Sequence, residues 1–448
     1  MKERFGLLLS LMLVFSACKK KEETITISPE DYHSSVDKVT EVMIHDIFSP
    51  PVASRIFAYP NVAAYEILAL KNDDYQSLSN QVHGLTEIPT PQEMSSINFE
   101  LSALIAHMDL SRRLIFSEDR IKAYQDSLYS IWAEKNERVF NASKVFGLQV
   151  ADHVQAWMDK DNYKQTRTMP KFTVNSEDPS RWQPTPPAYM SGIEPHWNKI
   201  RPFVIDSAGQ FKPTPPPPFS MEEGSDFYKE VKEVYDISQE ITAKGDESEE
   251  VAIAKFWDCN PYVSHHKGHV MFATKKITPG GHWVGICKTA CKKANADIMT
   301  SADAYVWTAI SLADAFISCW DEKYRSNLVR PETVINTHID EEWKPFLQTP
   351  PFPEYTSGHS VISRSAATAL THIFGDNFNY IDSVEVIYGM PPREFDSFFE
   401  ASDEAAVSRL YGGIHYGPAC FIGVEQGGKI GEHIISKIKT KKDRLSMK

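Results

Sequence analysis

Hydrophobic residues recur at intervals of three and four positions over most of the chain, which is the spacing of helices that bury one face. Before the middle of the chain this spacing covers 36–47, 63–70, 97–114, 118–136 and 142–159. After residue 222 it covers 223–245, 249–257, 281–297, 301–322, 358–374, 401–412 and 422–440. Pro50, Pro51 and Pro60 are the expected breaks among the early helices. Because alternating strand patterns are scarce, the fold is predicted to be mainly α, with its helices packed as bundles.

Residues 163–222 have a different character, since prolines gather at 183–196 and at 213–218. Proline at this density disfavours both helix and strand, so this Pro-rich segment is predicted to be a long ordered loop. It would be either a lid or wall over a site, or a surface excursion packed by its own aromatic residues. The predicted division is an N-terminal helical part with this loop, 34–222, and a helical part that carries the candidate site, 223–440.

The first residues have the features of a targeting signal. Lys2 and Arg4 precede an apolar run, 5–15, which is too short to span a bilayer as a helix, and small residues then lead to Cys18. The pattern resembles a bacterial lipoprotein signal. That resemblance implies removal of 1–17, a lipid on Cys18, a tether over 18–33, and export to the periplasm or cell surface with membrane attachment only through the lipid. An ordinary secretory signal is the alternative.

Composition narrows the possible functions. Hydrophobic residues make up 42% of the 448 residues, enough for a sizeable core, and the net charge of −13 argues against a nucleic-acid partner. Any anion site must therefore be a local island of positive charge. Beyond Cys18 five cysteines remain, and the pair Cys287 and Cys291 lacks the matching second pair of a typical zinc site. Small core residues or one disulfide are expected instead.

The first candidate site segment is Lys323 to Pro331, which follows the apolar helix predicted over 304–320. Lys323 offers a point charge, and Arg330 offers a planar fork that can hold two oxygens of one anion. An exposed basic helix end, favoured by the helix dipole, is the alternative interpretation of this segment.

The second segment, Ser357-Gly358-His359, begins a predicted helix. A hydroxyl and bare backbone N–H groups at a helix start form a cradle for an anion. His359 on the first turn could give or take a proton. A plain serine cap with an incidental histidine is the alternative.

The third segment contains Arg409 and His415, which are six residues apart and are expected to project to similar sides of one helix. Gly412 and Gly413 lie between them and indicate the close approach of another group. The alternative is a helix that ends at these glycines, with a surface arginine and a loop histidine.

Together the three segments are more specific than any one of them. The order of the motifs is Lys-x6-Arg-Pro, then Ser-Gly-His, then Ser-Arg-x5-His. This order resembles the signature of the type 2 phosphatidic acid phosphatases and the vanadium-dependent haloperoxidases, two families that share one helical core. The gaps fit as well, with 24 residues between Pro331 and Thr356 and 48 between His359 and Ser408. The resemblance implies one tetrahedral oxyanion held by Lys323, Arg330, Ser357, Gly358, His359, Arg409 and His415.

The chain departs from the family pattern at two positions. Thr356 replaces the usual proline before Ser-Gly-His, and Ala419 stands where the family often has an aspartate four residues beyond the second histidine. Such an aspartate would orient His415, so the group that orients this histidine is left unassigned.

The resemblance implies different roles in the two families. In a haloperoxidase each site binds one vanadate, and the substrates are hydrogen peroxide and a halide. His415 would then be the axial ligand of the vanadate and His359 the acid–base group. Lys323 would act in catalysis as well as in binding. In an acid phosphatase His415 would instead attack phosphorus and form a phosphohistidine. A non-catalytic phosphate-binding or oxyanion-binding lipoprotein is a third possibility, although it would have no need of both histidines.

Aromatic residues near the motifs favour the haloperoxidase. Trp320 and Phe352 match aromatic positions of that family, and the chain lacks the spanning segments of the membrane phosphatases. The stretch 256–262 and the pair Trp320-Asp321 resemble bacterial iodoperoxidases of flavobacterial type. That resemblance implies that Tyr262, Trp320, Asp321 and Phe352 lie at the halide pocket or directly behind the site, that iodide is the halide, and that a homo-oligomer is possible.

Four further histidines, His265, His266, His269 and His282, lie close together in the sequence. A zinc or copper site is conceivable for such a group. No helical pair with a carboxylate accompanies them, so positions on the surface or at the rim of the pocket are predicted instead.

Overall fold

The structure is a computed structural model that describes residues 22–91, 93–267, 270–273 and 275–442. It confirms the mainly α prediction. The N-terminal half contains helices α1 to α6: Pro29–His45, Pro50–Leu70, Phe99–Arg112, Glu118–Lys135, Glu137–Met158 and Tyr163–Thr166. Helices α7 to α14 follow: Asp226–Lys244, Glu249–Phe256, Pro279–Lys293, Ile298–Ser326, Pro331–His338, Gly358–Phe374, Phe398–Tyr411 and Gly417–Lys437.

Strands within the described residues are confined to two short antiparallel hairpins. Strand β1 (Ser264–Lys267) pairs with β2 (Val270–Ala273), and β3 (Tyr380–Asp382) pairs with β4 (Arg393–Phe395). None of the described helices combines the length and the apolar character that crossing a membrane requires.

Most helices begin at a polar capping residue whose side chain accepts a backbone hydrogen bond from the first turn. Ser49, Asp297 and Ser357 cap α2, α10 and α12 in this way. The predicted break at Pro60 is wrong, because α2 continues through this proline to Leu70. Every residue of α2 except Leu70 is buried, so the packing around the helix outweighs the single backbone hydrogen bond that a proline removes.

Helices α2 and α10 are the centre of the fold. Both are buried over nearly their whole length, and one hydrophobic cluster joins residues from both predicted parts of the chain. The predicted tether over 18–33 is too long, since Ile25 and Ile27 are buried in that cluster and α1 begins at Pro29. Cys18 lies outside the described residues, so its lipidation stays a prediction.

The Pro-rich segment packs against α10 and is neither a lid nor a self-contained excursion. Backbone N–H groups of Phe203, Val204 and Ile205 donate to the Asp314 carboxylate at 2.7, 2.7 and 3.0 Å. The indole N–H of Trp320 donates to the Ile193 carbonyl at 3.3 Å. The segment is therefore fixed to the outside of the helix that leads to the candidate site, and it is not the predicted wall over that site.

The five cysteines beyond Cys18 are all free and buried, so the alternative of a disulfide among them is wrong. Each fills space in the interior, which agrees with the prediction of small core residues.

The Asp314 contact generates the first prediction. Asp314→Ala leaves three buried N–H groups without an acceptor, and we expect a loss of at least about 3 kcal/mol in the free energy of unfolding. Chemical denaturation measures the loss, and limited proteolysis should show earlier cleavage within 167–222. Asp376→Ala, at an exposed position, is the control. Equal stability of the two variants would contradict this role of Asp314.

Candidate oxyanion site

Lys323 lies in the last turn of α10 and is fully buried, which overturns the alternative of an exposed basic helix end. Its ammonium group donates to the backbone carbonyls of Pro353, Glu354 and Thr356 at 3.1, 3.0 and 2.5 Å. Burial lowers the pKa of Lys323 to about 8. The lysine thus fastens the loop that leads into α12 and brings a titratable positive charge to it.

Arg330 precedes α11 and is also fully buried. Its Nε donates to the Phe352 carbonyl at 2.9 Å, and its Nη1 donates to the Ile414 carbonyl at 2.7 Å. Its Nη2 is buried and has no hydrogen-bond partner. Burial lowers the pKa of Arg330 to about 10, so the group stays charged at neutral pH and still has donor capacity to offer an anion.

The start of α12 supplies the cradle. The Ser357 side chain accepts from the Ser360 N–H at 3.4 Å, and a Cβ added to Gly358 would lie 3.6 Å from the Trp320 ring. The His359 Nε2 atom is buried without a partner, whereas the ring hydrogen-bonds the Trp257 backbone. Burial and the charge of Arg409 lower the pKa of His359 well below its ordinary value. His359 is therefore a neutral base with one free nitrogen.

Arg409 and His415 do not share a helix, which corrects the prediction made from their spacing. Helix α13 ends at Tyr411 because Gly413 takes a positive φ of 73°, and His415 lies in the turn before α14. The predicted close approach is present, since a Cβ on Gly412 would lie 2.6 Å from Leu347 Cδ1. Arg409 Nη2 donates to the Trp257 carbonyl at 2.8 Å.

The hydrogen bonds of His415 determine its tautomer. Its Nε2 lies 3.2 Å from Arg330 Nη1, and its Nδ1 lies 2.7 Å from Glu354 Oε1. An arginine can only donate, so Nε2 must accept and Nδ1 must carry the proton. Burial, with the charges of Arg330 and Lys323, lowers the pKa of His415 well below its ordinary value. The imidazole is neutral, with a lone pair on Nε2.

Glu354 is the functional residue that sequence reasoning missed. It takes the place of the absent aspartate, because its Oε1 accepts from His415 Nδ1 and from the Tyr416 N–H at 3.0 Å. Burial raises its pKa to about 7, although Arg330 and Lys323 act against the rise. Ala419 contributes only its carbonyl, which accepts from the Ser357 N–H at 3.0 Å. The sequence does contain one signal for this role of Glu354. It is a carboxylate just before Ser357-Gly358-His359, in a site whose buried cations need a counter-charge.

The candidate site residues lie around one narrow cavity of about 30 Å³. Gly358, His359, Arg409 and His415 line it, and Lys323 and Arg330 lie directly behind. Three buried cations and the partnerless donor Arg330 Nη2 fit a tetrahedral oxyanion, and the unprotonated His359 Nε2 can accept from a hydroxyl group of that anion. The neutral His415 adds one lone pair, which is what a metal–oxygen centre such as vanadate needs from a nitrogen ligand.

Aromatic rings form one side of the cavity. Trp320, Phe352 and Tyr262 line it, and the Trp320 and Phe352 ring centroids are 5.0 Å apart. Asp321 does not line it and instead contacts Asn198 Nδ2 at 2.9 Å. Neighbouring residues of a helix point about 100° apart, so Asp321 faces the Pro-rich segment, whereas Trp320 and Lys323 share a face.

The prediction for the four additional histidines is wrong for His282. His282 is fully buried, because Cys259, Asp382 and Glu385 surround it with polar partners. The side chains of His265 and His266, and all of His269, lie outside the described residues.

Comparisons with known proteins agree with this geometry. The model of the second helical-bundle domain of VCPO matches residues 303–443. The crystal structure described as the first bacterial vanadium-dependent iodoperoxidase is 63% identical with a TM-score of 0.91, over 95% of this chain and all of that one. No curated protein matches.

Two bacterial vanadium-dependent chloroperoxidase structures, of holo and apo type, are more distant. They are 16% and 17% identical, with TM-scores of 0.65 and 0.66, over 88% of this chain and 93% and 94% of theirs. They share the fold. The fold and the oxyanion cavity define a haloperoxidase-type helical protein. On the identity and coverage of the iodoperoxidase match, the chain belongs to the vanadium-dependent haloperoxidases.

The role of Glu354 can be tested by anion affinity. We expect Glu354→Ala to weaken orthovanadate binding by about 10- to 100-fold, because His415 loses the partner that fixes its tautomer. Glu354→Gln keeps an acceptor and should lose less. Calorimetric titration measures both, and Glu66→Ala, another buried glutamate remote from the cavity, is the control. A loss below about threefold in a folded Glu354→Ala protein would contradict the role.

The lowered pKa of Lys323 predicts a pH dependence. An amine is cationic below its pKa, so the positive charge is present at pH 7 and is lost as the pH rises through about 8. Sulfate keeps its own charge in this range, and its affinity should fall by up to about tenfold per pH unit between pH 8 and 9.5. Starting at pH 8 leaves Glu354 already largely ionised, because its pKa is about 7.

Lys323→Arg places a group in this position that stays charged. Its sulfate affinity should therefore be flat over the same interval. An equally steep fall in this variant would assign the titration to another group.

Proposed function

We propose that this protein is a vanadate-dependent haloperoxidase that oxidises iodide with hydrogen peroxide to hypoiodous acid. The observation that carries the proposal is the neutral His415, whose Nε2 lone pair is fixed among three buried cations. The 63% identical iodoperoxidase supports iodide as the halide. Iodide is also the halide that is easiest to oxidise.

When bound, vanadate supplies a Lewis-acidic centre that activates hydrogen peroxide toward the halide without changing its own oxidation state. Arg330 and Arg409 would hold its oxygens, with Arg330 Nη2 as a donor that has no other partner. Lys323 would contribute its positive charge, since its three N–H groups hold backbone carbonyls. The Ser357 hydroxyl and the Gly358 N–H at the start of α12 complete the cradle.

Glu354 and Arg330 keep His415 ready for ligation. The carboxylate of Glu354 holds the Nδ1 proton, and the adjacent positive charges oppose protonation of Nε2. The nitrogen is therefore unprotonated at neutral pH, where an ordinary histidine would be partly protonated, and ligation would replace its hydrogen bond from Arg330 Nη1.

His359 is placed to move a proton. Its lowered pKa leaves Nε2 unprotonated, and the hydrogen bond with the Trp257 backbone orients the ring. The free nitrogen can accept a proton from hydrogen peroxide in the cavity and return it to the peroxide oxygen that leaves as water.

The rings of Trp320 and Phe352 limit the access of water to the halide side of the cavity. Lys323 Nζ lies 5.0 Å from the Phe352 ring centroid, so an anion on this side meets an apolar wall next to a positive charge. A large, weakly hydrated halide suits such a wall.

One experiment separates this proposal from its alternatives. The chain is incubated with orthovanadate and assayed for iodide and bromide oxidation by hydrogen peroxide, and it is assayed without vanadate for phosphate-ester hydrolysis. We expect vanadate-dependent oxidation of iodide that exceeds that of bromide. Ester hydrolysis inhibited by vanadate would support the acid phosphatase, and phosphate binding without either activity would support a binding protein.

The same assay tests His415. His415→Ala should lower vanadate-dependent oxidation by at least about 100-fold, because it removes the nitrogen that Glu354 and Arg330 hold in place for the vanadate. His338→Ala, at an exposed position on α11, is the matched control and should retain full activity. Full activity of the His415 variant would show that His415 is not the nitrogen ligand.

A further inference from the structure

A second group of buried, metal-ligating side chains lies beside the oxyanion cavity. Cys259 follows α8, His282 lies in the first turn of α9, and Glu385 follows β3. All three are buried, and their ligand atoms face one another. They come from segments up to 126 residues apart, so the fold, and no local motif, brings them together.

The distances between the three ligand atoms fit one metal ion. Cys259 Sγ lies 3.4 Å from His282 Nδ1 and 3.7 Å from Glu385 Oε1, and His282 Nδ1 lies 3.2 Å from the same oxygen. Usual zinc–ligand bond lengths place sulfur, nitrogen and oxygen about 3.4–3.6 Å apart at the corners of a tetrahedron. The three side chains therefore occupy three corners of such a site.

Asp382 supplies the outer contact that metal-bound histidines usually have. Its Oδ2 lies 2.8 Å from His282 Nε2, and its Oδ1 accepts from the Val384 N–H at 2.9 Å. Although burial opposes the rise, the charge of Asp382 raises the pKa of His282 well above its ordinary value. Asp382 holds the proton on Nε2, and zinc would replace the second proton, on Nδ1, which faces Cys259 and Glu385. Glu385 is buried, so its carboxylate also favours a cation next to it.

We propose that Cys259, His282 and Glu385 bind a zinc ion at a site separate from the oxyanion cradle, with Asp382 orienting His282. Zinc is preferred because the ligand set mixes thiolate, imidazole and carboxylate in tetrahedral spacing. Binding releases the Cys259 thiol proton and the His282 Nδ1 proton to solvent, and the metal changes no oxidation state. Cys259 also lines the oxyanion cavity, so a water from the cavity can complete the coordination.

The zinc site would stabilise one wall of the oxyanion site. The Trp257 ring stacks on His282 with centroids 4.6 Å apart, and the Trp257 carbonyl accepts from Arg409. A metal that fixes His282 and Cys259 therefore also fixes the segment 257–260, which positions one of the three cations of the cradle.

The test is metal binding by the full chain, so it does not depend on the proposed peroxidase activity. Elemental analysis after dialysis against zinc should find about one zinc per chain, and Co²⁺ in its place should show the near-ultraviolet absorption of a cobalt–thiolate bond. We expect Cys259→Ser and Glu385→Gln to weaken zinc binding by at least about tenfold each, because each removes one of three protein ligands.

Cys287→Ser and Glu66→Gln change a buried cysteine and a buried glutamate elsewhere and should bind zinc like the unaltered chain. Circular dichroism shows whether each variant is folded, and Glu385→Gln, which is nearly isosteric, covers a failure of the cysteine variant. Absence of stoichiometric zinc from the unaltered protein would overturn the proposal. The proposal would also be overturned if the protein contained no zinc and peroxide modified Cys259, because Cys259 would then be a reactive thiol.

Discussion

The carboxylate of Glu354 is the charge on which the oxyanion site depends. Lys323, Arg330 and Arg409 are buried together in a chain whose net charge is −13, and buried cations are costly unless they are paired. Glu354 offsets part of this positive charge and at the same time fixes the proton of His415. The remaining excess of positive charge is available to an anion. One side chain thus sets both the electrostatic balance and the tautomer of the site.

The three buried cations also hold the loops that form the cavity. Their donors hold backbone carbonyls of the surrounding loops, Pro353 and Thr356 by Lys323, Phe352 and Ile414 by Arg330, and Trp257 by Arg409. Each guanidinium or ammonium is therefore oriented by the backbone before any ligand arrives. Such preorganisation lowers the cost of binding an anion, because the donors do not need to be ordered again.

Much of the fold and of the cradle could be predicted from the sequence. Helical spacing predicted α12 over 358–374, which agrees with Gly358–Phe374, because its apolar face and its serine cap are local signals. The cradle residues are likewise recognisable, since each lies in a short motif. Glu354 was missed because it lies in a loop without periodicity, and its partner His415 is 61 residues away.

Two other features could not be predicted from the sequence, because they also depend on contacts between distant parts of the chain. His282 is buried because Asp382 and Glu385 arrive from about a hundred residues further along the chain, and no local pattern reports such a contact. Pro60 stays within a helix because α2 is enclosed by its neighbours, so tertiary packing decides against the local preference. Local chemistry thus predicts the elements, whereas long-range contacts decide which polar residues become functional.

The aromatic side of the cavity depends on a part of the chain that the motifs do not include. The indole of Trp320 donates to the Ile193 carbonyl, and the Ile193 N–H donates to the Pro351 carbonyl next to Phe352. The Pro-rich segment therefore links the two rings that face the cavity, although it does not line the cavity itself. The motif residues form the candidate oxyanion cradle, whereas the aromatic side that a halide would meet is positioned by this segment. A change in the 183–196 loop can therefore alter the halide side and leave the cradle intact.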